Sequence, residues 1–320
     1  MRKNIAGYIA IIAAFAGFPS LAHAQDYPTK PLQIYQGFPA GSGLDIVTRY
    51  YAGHLQRMTG QTAVVQNRLG ANGTIAMGAM ARSAPDGHTM LFGPGASAAH
   101  VVIKSLGFDP LKDVIPVASV VAFPFLLVVS PNHSKATTVA EFIEELKRKN
   151  TISYGAPNSL GYVGGAMITQ AHGLKGVPVQ YKVNADAVRD LIAGDLDFIV
   201  NEANSSFAMV REGKLRGLAV TLGRRSRNAP DLPTMIELGY KDINFHGWMG
   251  VYLPAGTPPA IVAKLEAWIV EIGRSEETAA FYKKIGGDVF ALNQAEFRQW
   301  ELDEFAAWKV RAKIANLEAN

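Results

Sequence analysis

Short apolar runs alternate with stretches of helical period along most of the chain. Residues 32–36 read as a strand. Residues 44–58 read as a helix, with apolar positions at Val47, Tyr50, Tyr51, Leu55 and Met58. Strand 62–66, helix 74–82 and strand 89–92 follow. This βαβα order predicts a parallel sheet covered on both faces. The middle of the chain repeats the theme. Residues 114–121 and 125–130 read as two strands. Thr138 opens a helix, with Glu141 three residues on completing a capping box. Strand 152–154, helix 162–172, strand 179–181, helix 185–193, strand 197–200, short helix 206–212 and strand 215–221 come next. After an apolar run at 248–253 the pattern turns helical, over 258–274, 276–285 and 295–315. Two α/β units and a helical C-terminal segment are predicted, with no short-period repeat and no low-complexity tract.

The first residues change the compartment. Arg2 and Lys3 precede about 14 mostly apolar residues, within signal-peptide range and short of the roughly 20 that span a bilayer. Ala22-His23-Ala24 is a small-residue cleavage site. The expected mature chain begins at Gln25, with residues 1–24 a signal peptide and the periplasm as destination. About 300 residues remain, enough for two domains of ordinary size. There is no cysteine, so no disulfide framework and no lipid-modified N-terminus is expected. Cleavage removes two cations and no acid, lowering the formal charge of +4 by two. Nothing in that balance calls for nucleic acid or a membrane surface. The basic cluster Arg224-Arg225-Ser226-Arg227 reads as a surface turn.

Candidate chemistry is sparse. H-E-x-x-H, G-x-S-x-G and the P-loop pattern are absent, and a thiol nucleophile is excluded. The histidines are scattered, with no metal-ligand spacing. Ser97 near His100 is the only Ser–His pairing of note, and a hydrolase in the same cleft is the weaker alternative. No cofactor, no metal and no catalytic residue are expected. Small-residue loops stand out instead. The loop 37–45 (GFPAGSGLD) and the loop 67–73 each join a strand to a helix, and loops at 93–97 and 155–161 each follow a strand. In an open α/β sheet such loops converge on the ligand crevice. Helix N-termini there offer unpaired N–H groups and partial positive charge to an anion, and glycine lets the backbone approach it. The predicted cleft is lined by backbone N–H groups, hydroxyls and amides, suited to a small carboxylate.

Several short matches occur in order. They are Tyr27-Pro28-x-Lys30-Pro31; Phe38-Pro39-Ala40-Gly41-Ser42-Gly43-x-Asp45; Asn67-Arg68-x-Gly70-Ala71-x-Gly73; and Pro85-Asp86-Gly87-His88-Thr89. Tyr181-Lys182, the run Gly213-Lys214-Leu215-Arg216-Gly217-Leu218-Ala219-Val220-Thr221 and Pro254-Ala255-Gly256-Thr257-Pro258 follow. In these the chain resembles the substrate-binding proteins of tripartite tricarboxylate transporters, the Bug family, from about Tyr27 to its end. The resemblance implies a type II periplasmic-binding-protein fold: two α/β domains joined by two crossing strands, with a ligand cleft between them. It places domain one at residues 27–127 plus 248–320 and domain two at 128–247. It implies a non-enzymatic, monomeric receptor that captures a di- or tricarboxylate, amino acid or aromatic acid and passes it to membrane permease subunits. A membrane sensor kinase remains an alternative partner.

The ligand contacts implied are Phe38, Ala40, Gly41, Ser42, Gly43, Asp45, Asn67 and Ser97 from the first domain. Ala156, Asn158, Ser159, Tyr162, Asn201 and Asn204 supply the second. Asp45 is expected to fix the first loop rather than touch the anion, since like charges repel at close range. Three departures from the family pattern surround the pocket. Gly41-Ser42 replaces adjacent glycines. The second loop is about two residues short, with Tyr162 where a histidine is common. Asn201-Glu202 stands where aspartate-asparagine is usual.

Overall fold

The computed structural model describes residues 27–95, 107–181 and 183–314, the side chains of Asn72 and Asn204 excepted. The expected leader and cleavage site, and Ser97, lie outside those residues. Ten strands and nine α-helices are described. In chain order they are β1 (Leu32–Gln36), α1 (Gly43–Thr59), β2 (Ala63–Asn67), α2 (Thr74–Ala81), β3 (Thr89–Gly93) and β4 (Val114–Val129). Then come α3 (Val139–Lys147), β5 (Ile152–Ala156), α4 (Ser159–Ala171), β6 (Gly176–Gln180), α5 (Asn184–Ala193), β7 (Phe198–Glu202), α6 (Ala203–Arg211) and β8 (Arg216–Val220). The last are β9 (His246–Pro254), α7 (Pro259–Arg274), α8 (Glu276–Ile285), β10 (Asp288–Val289) and α9 (Gln294–Ile314). No helix among the described residues is long and apolar enough to cross a membrane.

The strands lie in the order β2-β1-β3-β9-β4-β7-β5-β6, with β8 and β10 also pairing with β4. The two halves of this path run in opposite senses. Strand β4 is antiparallel to β9, which is antiparallel to β3, so β4 shares the direction of β1, β2 and β3. Strand β7 is antiparallel to β4, and β5 and β6 follow β7. The strand C-termini of each half therefore point towards the other half. Strand β3 ends at Gly93, level through Gly250 with Ser119 of β4, whereas β7 ends at Glu202, opposite Phe125. The intervening five residues of β4 span about 17 Å at 3.3 Å per residue. With the start of β9 they form the floor between two sets of facing loops.

Each half has its own core on both faces of its sheet. In the first half, Ile34, Val47, Tyr51, Leu265 and Ile269 cluster under α1 and α7. Met77, Met80, Leu91 and Phe297 cluster on the other face. In the second half, Phe142, Phe198, Val163 and Met167 fill one face, and Leu191, Ile199 and Phe207 the other.

Three departures from the sequence reading bear on how the halves and the site are arranged. The two strands expected at 114–121 and 125–130 are one strand, running through Pro124. Proline is tolerated there because pairing with β9 ends at Pro124–His246 and pairing with β7 begins at Phe125, so no central ladder bond is lost. The change of partner falls at 124/125 and at 245/246. Helix α4 starts at Ser159, three residues earlier than expected, because Asn158 caps it by accepting the Gly161 N–H at 2.8 Å. Helix α9, expected wholly with the first domain, straddles both. Phe297 packs with Trp248 and Tyr252 in the first half. Trp308 belongs to the second half's core. Arg311 donates to Asn244 O at 2.8 Å, and Ile314 O accepts from Gln170 of α4 at 2.8 Å. A helix of 21 residues is about 30 Å long, enough to reach across.

Candidate functional site

The first loop is built around one carboxylate. Asp45, 2% exposed, accepts four hydrogen bonds. Its Oδ1 takes Gln36 Nε2 at 3.1 Å and Asn67 Nδ2 at 2.9 Å; its Oδ2 takes the Gly41 N–H and Arg49 Nε, both at 2.9 Å. Burial pushes this carboxyl up. The hydrogen bonds from Arg49, Gly41 and Asn67, with the Arg49 charge, outweigh burial and bring it down to about 2. Gln36 also clasps the start of the loop, accepting from Phe38 N at 2.8 Å and donating to Phe38 O at 2.7 Å. Asn67 adds a second bond to Phe38 O, at 2.9 Å. Gly41 has φ +81°, which glycine adopts without steric cost. Gly37 lies so close to Gly73 that a Cβ there would meet Gly73 Cα at 2.3 Å, so the first and second loops of this half fit only as glycines.

This bonding determines which N–H groups remain. The Gly41 N–H is spent on Asp45, and the Ser42 N–H donates to Pro39 O at 3.1 Å. Ser42 caps α1, its Oγ accepting the Asp45 N–H at 3.3 Å, and keeps its own hydroxyl proton to donate. The first intrahelical bond runs from Ile46 N to Ser42 O. Gly43 and Leu44, at the first two helical positions, have N–H groups with no partner among the described residues.

The facing loop repeats the design. Asn158 caps α4 at the Gly161 N–H, and Tyr162 N donates to Asn158 O at 3.0 Å. The N–H groups of Ser159 and Leu160 are left over, as those of Gly43 and Leu44 are, among the described residues. Gly161 packs directly on the strand: a Cβ would lie 2.8 Å from Val200 O. Asn158 Nδ2 reaches Glu202 Oε1 at 3.3 Å, linking the ends of β5 and β7. Each half thus presents one capped helix N-terminus towards the other, with two unspent N–H groups and the positive end of a helix dipole.

The expected contacts divide accordingly. Ala40, Gly41 and Ser159 are exposed; Phe38, Ser42, Gly43 and Asn158 are half-buried. Asp45 and Asn67 turn inward and fasten the first loop. Ala156 is buried at the end of β5. Tyr162 is half-buried, edge-on to Tyr154 with centroids 6.4 Å apart, against the second half's core. Asn201 was expected at the ligand, but it is fully buried and donates to Ser206 Oγ at 3.0 Å, which closes it off from solvent in this arrangement. The backbone of Asn204 lies in α6. In the third loop, Gly95 rests on α9. A Cβ there would meet Glu301 Oε1 at 2.5 Å, and that oxygen accepts from the Tyr252 hydroxyl at 2.6 Å. Burial pushes the Glu301 carboxyl up to about 7, against the opposing influence of Tyr252 and Arg298.

Gln36 and Arg49 are the residues missed in the sequence. Gln36 carries a signal: it continues the inward phase of Leu32 and Ile34, so a polar group is forced inside. Arg49 stands four residues after Asp45, the spacing of neighbours on a helix face.

Residues 47–317 match the family model described as tripartite tricarboxylate transporter family receptor. The protein BugT of Bordetella pertussis is 31% identical over 313 residues, covering 94% of each chain. The R. palustris protein Rpa4515, solved with adipate, has a TM-score of 0.79 at 27% identity, covering 92% of this chain and 100% of that one. MatC from Rhodopseudomonas palustris, solved with bound malate, has a TM-score of 0.72 at 25% identity, covering 89% and 99%.

Proposed function

The chain belongs to the tripartite tricarboxylate transporter receptor family, and from that premise we propose that it is a monomeric periplasmic receptor for a small dicarboxylate. The observation that carries this reading is the pair of capped helix N-termini on facing loops. One carboxylate sits at Gly43, Leu44 and the Ser42 hydroxyl, the other at Ser159 and Leu160. Neutral N–H donors hold an anion without a buried counter-charge, so the ligand can be released to permease subunits in the membrane. Structural relatives solved with adipate and malate support a ligand carrying two carboxylates. No covalent step is part of this reading, and the ligand is recovered unchanged.

Titration calorimetry of the mature chain tests it. Across a panel of acids that includes adipate and malate, at least one dicarboxylate should bind tenfold or more tighter than the monocarboxylate of equal length, the difference of about one charged hydrogen-bonding group. Gly43→Val should abolish that binding with the melting temperature retained, because a branched side chain obstructs approach to the N–H groups. Equal affinity for mono- and dicarboxylates, or undiminished binding by Gly43→Val, would overturn the assignment of these loops.

A further inference from the structure

The run Arg224-Arg225-Ser226-Arg227, read from sequence as a surface turn, lies at the hinge between the halves. Thr221, just past β8, is 1% exposed and bonded to β4 and to the residue that precedes β9. Its N–H donates to Phe125 O at 2.9 Å, and its Oγ1 accepts from Phe125 N at 3.2 Å. The same hydroxyl donates to Phe245 O at 2.5 Å, and the Thr221 carbonyl accepts from Phe245 N at 3.0 Å. Phe125 and Phe245 flank the two points where the chain passes between halves, so Thr221 marks the pivot.

Five residues later the same segment grips the first half. Ser226 Oγ donates to Asp288 Oδ2 at 2.8 Å, and the Arg227 N–H donates to Asp288 Oδ1 at 3.3 Å. Asn228 Nδ2 donates to Gly287 O at 2.9 Å, and Arg224 Nη2 to Val289 O at 3.2 Å. Asp288 and Val289 form β10, which pairs with Ala122 and Val121 of β4 below the crossing. Ser226 and Asp288 are 1% and 2% exposed. Arg225 keeps the intervening loop in shape through Glu237 and Pro230 O.

We propose that residues 221–228 are an interdomain bracket, and that the Ser226–Asp288 bond is the latch that sets the angle between the two halves. One foot of the bracket is on the pivot and scarcely moves when the halves rotate. The other stands off the pivot on the opposite half, so rotation must lengthen or break its bonds. A buried hydrogen bond to a carboxylate is among the stronger ones available, so its loss changes the relative populations of interdomain angles about tenfold. The proposal concerns the hinge alone and stands whatever ligand the cleft takes.

The chain has no cysteine, so a label pair can be introduced without background. Gln56→Cys on α1 and Arg148→Cys beyond α3 are exposed, one on each half. Spin labels at these sites report the interdomain distance distribution by pulsed EPR. Ser226→Ala, which deletes only a hydroxyl, and Asp288→Asn should each shift or widen that distribution. Should Asp288→Asn fail to fold, Ser226→Ala decides alone. A lower melting temperature with the parent's distribution unchanged would mean a purely local structural bond and would overturn the latch.

Discussion

A buried carboxylate is costly unless its oxygens are satisfied, and at Asp45 all of the compensation comes from one loop and its immediate neighbours. The loop's shape and the ionisation of Asp45 are therefore the same fact. The folded carboxyl titrates at about 2, below its ordinary value of 3.8, so its contribution is present above about pH 4 and is lost as pH falls through 2. That displacement corresponds to about 2 kcal/mol. Asp45→Asn should therefore destabilise the protein by about 2 kcal/mol at pH 7 in urea unfolding, with the gap to the parent shrinking below pH 4. A gap independent of pH would mean that shape, not charge, holds the loop. Asp45 was legible in the sequence as a first-turn acid behind a serine. Its partners were not, because Gln36, Asn67 and Arg49 come from two strands and a helix, brought together only when β1 and β2 pair.

Helix α4 shows how an element can serve both core and site. Its buried face carries Gly161, Gly164 and Gly165, so the helix lies close against β5 and β7. A Cβ at Gly165 would lie 2.1 Å from Tyr154 Cδ2, and one at Gly164 would lie 2.8 Å from Val200 Cγ1. Alanine normally stabilises a helix interior by about 0.5–1 kcal/mol over glycine. At Gly165 the sign should reverse: Gly165→Ala should cost about 1–3 kcal/mol by overpacking against the strand. Melting or urea unfolding reads this directly, and stabilisation would show that the helix can lift off its sheet. The sequence displayed the helical period of 162–172 but not the preceding turn. Ser159, Leu160 and Gly161 carry too little apolar pattern to announce helix, and the turn is made by the Asn158 cap. Strand β4 was split for a related reason: Pro124 looks like a break until a change of partners makes its missing N–H harmless.

At the scale of the molecule, alternating strands and helices in the sequence were enough to anticipate two parallel half-sheets. The antiparallel strands β4 and β9 that turn the two sets of loops towards each other follow from pairing, not pattern. The role of α9 was also hidden, since its contacts with both halves depend on where the halves sit. Its C-terminal part carries a buried ion pair between two of its own residues, Glu304 and Arg311, at 2.5 Å, which orients Arg311 to donate to Asn244 O just before the crossing into β9. Burial pushes the Glu304 carboxyl up, and the Arg311 charge and hydrogen bond oppose that. Removing only the cation leaves a carboxyl buried without its partner, so Arg311→Met should cost about 3–5 kcal/mol. Removing both charges, in Arg311→Met with Glu304→Leu, should recover most of that loss, because apolar groups of similar volume replace a pair whose desolvation largely cancels its attraction. Urea unfolding followed by tryptophan fluorescence, which reports on Trp248, Trp268 and Trp300 in the first half and Trp308 in the second, measures both variants. If α9 binds the halves into one cooperative unit, the parent and the double variant unfold in a single transition and Arg311→Met loses stability or splits into two. A loss below about 1 kcal/mol in Arg311→Met, the range of exposed ion pairs, would mean that the bonds of Arg311 contribute little to joining the halves, which would then rest on the packing of Trp308 and Ile314.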